Sequence, residues 1–312
     1  MHKKPIAPTP APVPRFACPA VIPAARLALP PHKGRLATLE ILRAPCASHR
    51  IESAVLPEPR HPLAAPDAAP YRLFRAIPTA PAPAGGRPVL TLLDGNAAFD
   101  FLTPQMLEAV PDLAVIGIGQ QTEAQFDRLA RARDLTFPAE GQTGLVPDAG
   151  YGNRPAGGAP GFLPLLLGPL RAAAEDGLVV DPARRAIWGH SLGGLFVLNL
   201  MLQRPRSFAR FAAISPSLWW NPERLERVLA RHLGALGEGP ARPEIYLGSG
   251  NRERRTGAGG PEPTDAPAEF HALARRLEES GRVALSTQVY DGAVHIASLP
   301  SSLPTALRFA AA

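Results

Sequence analysis

The stretch AIWGHSLGGLFVLNL, residues 186–200, holds a serine between glycines: Gly189-His190-Ser191-Leu192-Gly193, the pattern G-x-S-x-G. A serine so placed suits nucleophilic acyl transfer. A strand-to-helix turn tight enough to present its hydroxyl leaves room only for glycine on either side. Ile187 and Trp188 read as the strand end, and Leu195 to Leu198 as the buried face of the helix. A hydroxyl is a weak nucleophile without a base, and the base needs a third group to orient it. Of the eight histidines, His2, His32, His49 and His61 precede the core strands. His190 is the variable residue of the turn and is expected to point away from the reaction, while His232 and His271 fall within helices. His295, in YDGAVHIASLP after the last expected strand, is therefore the expected base.

The acid should follow the preceding strand, EIYLGSG, where Glu253, Glu262 and Asp265 are candidates. Glu253, three residues past the terminal glycine, has the reach to return over the sheet edge. Asp291 is nearer His295 in sequence but sits in the final strand turn. The bland alternative for Glu253 is a solvated carboxylate paired with Arg252, Arg254 or Arg255. Stabilising an oxyanion needs two N–H groups. Leu192, just after the serine, supplies one, and Asn96, in LLDGN after an early strand, supplies the other.

These residues need a scaffold. YRLFRAIP (71–78), PVLTLLDG (88–95) and DLAVIGIG (112–119) are short apolar runs closed by Pro, Gly or Asp, as strands buried on both faces are. ARRAIWG (183–189), FARFAAISPS (208–217), PEIYLGSG (243–250) and VALSTQVYDG (283–292) continue the series. Helical spacing marks 97–110, 161–177, 192–205, 221–236 and 267–281, with Pro164 and Pro169 breaking or shortening the second. Strands alternating with helices predict an α/β fold with a mostly parallel central sheet covered on both faces. The segments 138–160 and 251–266 are too long for plain connectors and read as binding loops.

Composition excludes several classes. The 312 residues are 46% hydrophobic and 19% charged, ordinary for a globular chain, and no apolar run is long enough to span a membrane. The formal charge of +6 comes from scattered arginines without basic runs or interleaved aromatics, so nucleic acid is not an expected partner. Cys18 and Cys46 make no disulfide framework, and no Cys/His cluster suggests zinc. Residues 1–50, rich in Pro and Ala, are expected to form a poorly ordered extension ahead of one domain over 51–312. Prolines interrupt every apolar stretch near the N-terminus, which gives a cytoplasmic expectation, or a periplasmic one if translation starts elsewhere.

YRLFRAIP, PVLTLLDGN, VIGIG, RARDLTF, DPARRAIWGHSLGGLFVLNLM, FAAISPSLWWN, YLGSGNRE and DGAVHIASLP, in that order, resemble the esterase family that contains ferri-siderophore (enterochelin-type) esterases and esterase D-like enzymes. The resemblance runs over about residues 50–310. It implies an α/β-hydrolase fold, no metal or organic cofactor, and cleavage of siderophore esters or other acyl esters. It also implies Ser191 as nucleophile, His295 as base, Glu253 as acid, and Asn96 and Leu192 as oxyanion donors. Some siderophore esterases of this type work with a Ser–His dyad, which leaves the acid open. Asn251 stands where an acidic residue is expected, and the helix after residue 160 carries less charge than is usual. Trp219 and Trp220 are candidates to line an aromatic pocket, with one of the pair in the core. Arg133, Arg154 and Arg252 are candidates to pair with an anionic ferric catecholate. A general short-chain acyl esterase or thioesterase and a non-catalytic binding protein are the alternatives. The sequence does not fix the oligomeric state.

Overall fold

The computed structural model describes residues 35–237, 242–254 and 262–312. Residues 1–34 of the expected 1–50 extension and the 255–261 part of the second long loop lie outside the described residues.

The chain opens with β1 (His49–Leu56), β2 (Tyr71–Pro78) and β3 (Arg87–Leu93). Next come α1 (Gly95–Phe101), α2 (Pro104–Glu108), β4 (Ala114–Gln120) and α3 (Arg128–Asp134). A small hairpin, β5 (Val146–Asp148) and β6 (Arg154–Ala156), precedes α4 (Ala159–Leu167) and α5 (Pro169–Glu175). The second half alternates strictly: β7 (Val180–His190), α6 (Leu192–Gln203), β8 (Arg210–Ile214), α7 (Pro222–His232), β9 (Glu244–Gly250), α8 (Ala268–Ser280), β10 (Ala284–Tyr290) and α9 (Ser298–Ala311).

All strands but β5 and β6 form one sheet in the order β1-β2-β4-β3-β7-β8-β9-β10. β2 runs antiparallel to β1 and β4, and every pairing from β4 to β10 is parallel. This is the α/β-hydrolase arrangement expected from the sequence, with ligand chemistry placed beyond the carboxyl ends of the parallel strands. Side-chain alternation divides the core in two. Val89, Leu93, Ile187, Phe211, Ala213, Ile245 and Leu247 face the layer of α4 to α8. Leu90, Leu92, Ala186, Trp188, Ala212, Ile214 and Tyr246 face α1, α2 and α9.

Two expected helices are broken at identifiable residues. The 97–110 segment divides at Thr103, which caps α2 by accepting from the Met106 N–H, with Pro104 at the first helical position. The 161–177 segment divides at Gly168, ahead of Pro169. Residues 35–50, expected to belong to the extension, pack on the domain, with His49 and Arg50 opening β1. Asp100 Oδ1 accepts from the N–H of Thr38 (2.6 Å) and of Leu39 (2.9 Å), and Ile41 is buried against the α1 and α9 layer.

Candidate active site

The turn between β7 and α6 places Ser191 at φ 61°, ψ −117°, a conformation that a non-glycine residue holds only when its surroundings impose it. The Ser191 N–H donates to Ile214 O (2.9 Å), and Ser191 O accepts from Leu195 (3.0 Å) and Ser217 (3.1 Å). Gly189 and Gly194 are steric requirements, whereas a Cβ at Gly193 would meet only ordinary contacts, the nearest Asp94 Oδ2 at 3.5 Å. A Cβ at Gly189 would run into the Gly193 carbonyl, and one at Gly194 would lie 2.7 Å from Ile214 O. Because the obstacles are backbone, Gly189→Ala is expected to cost about 1–3 kcal/mol of stability. A lowered urea midpoint with an unchanged m-value would show it.

Ser191 Oγ lies 3.0 Å from His295 Nε2, and His295 Nδ1 lies 2.8 Å from Glu253 Oε2. His295 follows β10 and Glu253 follows β9, so three loops at the carboxyl edge of the sheet converge. The other carboxylate candidates go elsewhere. Glu262 pairs with Arg252, Asp265 with the His271 side chain, and Asp291 accepts from Asn251. Glu253 is held on its far side as well: its Oε1 accepts from the Gly250 N–H (2.7 Å), Ser249 Oγ (3.2 Å) and Ser215 Oγ. Burial pushes the Glu253 carboxyl up. The hydrogen bond and positive charge available from His295, with Ser215 and Gly250, outweigh that and hold it at about 2. Glu253 is therefore an anion and a pure acceptor at neutral pH.

His190 does point away from the serine, and it has a task the sequence did not disclose. Its Nε2 donates to the backbone carbonyl of His295 (2.8 Å), and Ser298 Oγ reaches the same carbonyl (2.6 Å). The Ser215 and Ser298 hydroxyls are 2.6 Å apart, so one buried polar chain joins the Glu253 anchor to the His295 backbone. Burial, with the nearby His295 ring adding to it, pushes His190 down to about 3. Between about pH 6.5 and 3 the unfolded chain thus holds a proton that folded His190 lacks. Stability then rises with pH and is lost as pH falls below about 6.5. His49 and His61, also lowered by burial, act in the same direction. His190→Gln is expected to remove close to one proton, about 1.4 kcal/mol per pH unit at most, from that slope. Urea midpoints at pH 7.5, 6.5 and 5.5 would measure it.

Asn96 and Leu192 both lie in the first turn of a helix, α1 and α6, where backbone N–H groups lack intrahelical acceptors. The Asn96 side chain braces the α1 entry, donating to Gln120 O (3.1 Å) and Thr122 O (3.0 Å) and accepting from the Gln120 N–H (3.1 Å). Beneath this entry Asp94 takes a bidentate bond from Arg131 (2.9 Å twice), and Arg131 also donates to Tyr151 Oη (2.7 Å). Both charges are buried. This pair ties the β5–β6 hairpin to the turn between β3 and α1, one residue ahead of the helix that carries Asn96.

A cavity of about 400 Å³ opens beside His295 and Glu253. Trp219, Leu218, Pro216 and Phe270 form its apolar wall, and Gly150, Arg254 and Glu269 complete the rim. Trp219 is 37% exposed, whereas Trp220 is buried in the core and donates its indole N–H to Asp148 Oδ2 (3.0 Å). The structure does not bring Arg133 to this cavity. Arg133 is buried on α3, where a guanidinium must be paired, and Asp134 takes its Nε at 2.6 Å and Nη2 at 3.2 Å. Arg154 stacks on Tyr151 and donates to its carbonyl (2.7 Å), and Arg252 pairs with Glu262, so neither lines the cavity. Arg254, which the sequence offers only as an alternative partner for Glu253, lines the cavity instead.

Comparison with known proteins gives the family. The family model described as "Putative esterase" matches residues 72–298. The ferri-bacillibactin esterase BesA of Bacillus subtilis (strain 168) is 34% identical over 252 residues, covering 77% of this chain and 84% of its own. The apo-salmochelin esterase of Escherichia coli O6:H1 is 40% identical over 151 residues, 47% of each chain. Among solved structures, the enterobactin and salmochelin hydrolase IroE superposes with a TM-score of 0.67 at 26% identity, covering 87% of this chain and 99% of its own. A serine between two glycines at the sheet edge and a family match over most of the domain lead to one assignment: the chain is an esterase and belongs to this esterase family of α/β-hydrolases.

Proposed function

We propose that the chain is a serine carboxylic-ester hydrolase whose substrates are siderophore esters, cleaved through an acyl-enzyme. The observation that carries the reading is the continuous line from Ser191 Oγ through His295 to Glu253. With Glu253 ionised, the neutral form of His295, the form that can act as base, carries its proton on Nδ1 and turns a bare Nε2 to the serine. Ser191 Oγ attacks the ester carbonyl while Nε2 takes its proton, and the N–H groups of Leu192 and Asn96 receive the oxyanion. His295 then hands the proton to the leaving alcohol. In the second half it deprotonates a water, which attacks the acyl carbon and releases the acid. No step needs a metal or an organic cofactor.

The substrate class rests on the relatives, named as esterases of bacillibactin and salmochelin. The cavity is compatible with one aryl-bearing arm of such an ester. Trp219 offers an exposed ring, and Arg254 a cation for a catecholate oxygen. A general short-chain acyl esterase is the second reading, favoured by the small cavity and by the absence of Arg133 and Arg154 from its lining. The deciding experiment compares a catecholate trilactone, with and without Fe³⁺, against p-nitrophenyl butyrate. A kcat/KM for either trilactone at least tenfold above that for butyrate supports the siderophore reading. Hydrolysis of butyrate alone selects the second.

A further inference from the structure

Ser217 lies two residues beyond Ser215 on the loop after β8, and the roles described so far do not use its side chain. It is 1% exposed, and its Oγ lies 3.1 Å from Ser191 Oγ. Counting hydrogens fixes the direction of this contact. Glu253 is an anion, so His295 Nδ1 donates to it, and in the neutral imidazole that acts as the base Nε2 is then an acceptor. Ser191 has one hydroxyl hydrogen and spends it on Nε2 (3.0 Å). The Ser217 hydroxyl must therefore donate to Ser191 Oγ. Its place is fixed from both sides, since the Ser217 N–H donates to Ser191 O (3.1 Å) and Ser217 O accepts from Trp220 (2.9 Å).

We infer that Ser217 is a further catalytic residue, a donor to the reacting oxygen that serves deacylation more than acylation. The assignment rests on the serine-esterase reading above. When Oγ attacks, electron density leaves it for the new C–O bond, and an ester oxygen is a poorer acceptor than the alcohol it came from. A donor on Oγ therefore gives acylation little help. In deacylation the order reverses. Water adds to the acyl carbon and loses its proton to His295. The tetrahedral carbon then collapses, the C–Oγ bond breaks, and its electron pair returns to Oγ. His295 Nε2–H supplies the proton that completes the serine hydroxyl. While that charge grows on Oγ, the Ser217 hydrogen bond becomes a bond to a charged acceptor, the stronger kind.

The test is pre-steady-state hydrolysis of p-nitrophenyl butyrate by wild type, Ser217→Ala and Ser191→Ala. It reads the first-turnover release of p-nitrophenolate and the later decay of the acyl-enzyme by mass spectrometry. Ser217→Ala is expected to slow deacylation roughly tenfold to a hundredfold and to leave the first-turnover constant within about threefold. A preserved first turnover also shows that the variant is folded. If the alanine variant does not fold, Ser217→Cys keeps the volume with a weak donor and should show the same split. Equal slowing of both constants, or of neither, overturns the assignment while the esterase reading stands. A wild type that releases no p-nitrophenolate, or a Ser191→Ala variant that matches wild type, overturns the esterase reading and this assignment with it.

Discussion

Ser191→Ala is expected to lower kcat for ester hydrolysis by about 10⁵–10⁶-fold with KM little changed, since the oxygen removed forms the acyl-enzyme bond. Folding should survive the change. Alanine keeps the Cβ, and the backbone bonds that hold the turn, Ser191 N–H to Ile214 O and Leu195 N–H to Ser191 O, do not involve the hydroxyl. What remains above the uncatalysed rate would measure oxyanion stabilisation and substrate positioning alone. Steady-state assays and a urea curve on the same preparation separate lost chemistry from lost structure. A loss of less than about 100-fold would mean that another group attacks the ester.

Glu253→Gln is expected to lower kcat by about 10³–10⁴-fold, far more than the loss of one hydrogen bond. The reason lies on the far side of the carboxylate. Oε1 receives the Gly250 N–H and the Ser215 and Ser249 hydroxyls. The Gly250 N–H is a donor that cannot turn, so the amide oxygen of glutamine must face it. The NH2 then faces His295 Nδ1 and forces the proton onto Nε2, where it blocks deprotonation of Ser191. The resemblance to dyad esterases makes the opposite prediction, a loss below tenfold. The pH profile adds a second criterion. With Glu253 at about 2, it stays ionised through the range in which histidines titrate, so no carboxylate ionisation should appear in kcat/KM between pH 4 and 5. The linkage has a definite sign. Glu253 adds stability that is complete above its ordinary value near 4.5 and is lost as pH falls toward about 2.

Much of the scaffold was legible because its strands are short apolar runs that end on Gly, Pro or Asp. β2 begins and ends at the residues expected, Tyr71 and Pro78, and β7 to β10 fall where the pattern placed them. Other elements were hidden for physical reasons. α9 contains Pro300 and Pro304 and opens with serines, so it reads as loop. Yet Leu299, Leu303, Ala306, Leu307 and Ala310 recur at helical spacing and are buried, a signal that the prolines masked. β1 is an edge strand of mixed polarity, and its alternation is too weak to stand out. Within the site, the motif G-x-S-x-G and the loop order pointed to Ser191, Glu253 and His295, residues that the fold brings within hydrogen-bond reach.

The supporting groups were not legible. Ser215, Ser298 and His190 act through contacts across 38 to 108 positions of sequence, which no local pattern encodes. The arginines failed for a related reason: sequence counts charge but not pairing. Arg133 is consumed by Asp134 inside the protein, Arg154 by the Tyr151 carbonyl and Arg252 by Glu262, while Arg254 reaches the cavity.

The central claim is best tested by treating the protein with a fluorophosphonate and mapping the adduct while following trilactone hydrolysis. One phosphonyl group per chain on the peptide containing Ser191, with activity lost in step with labelling, is the result expected. Label on another residue, or full trilactone hydrolysis by protein already labelled at Ser191, would contradict it.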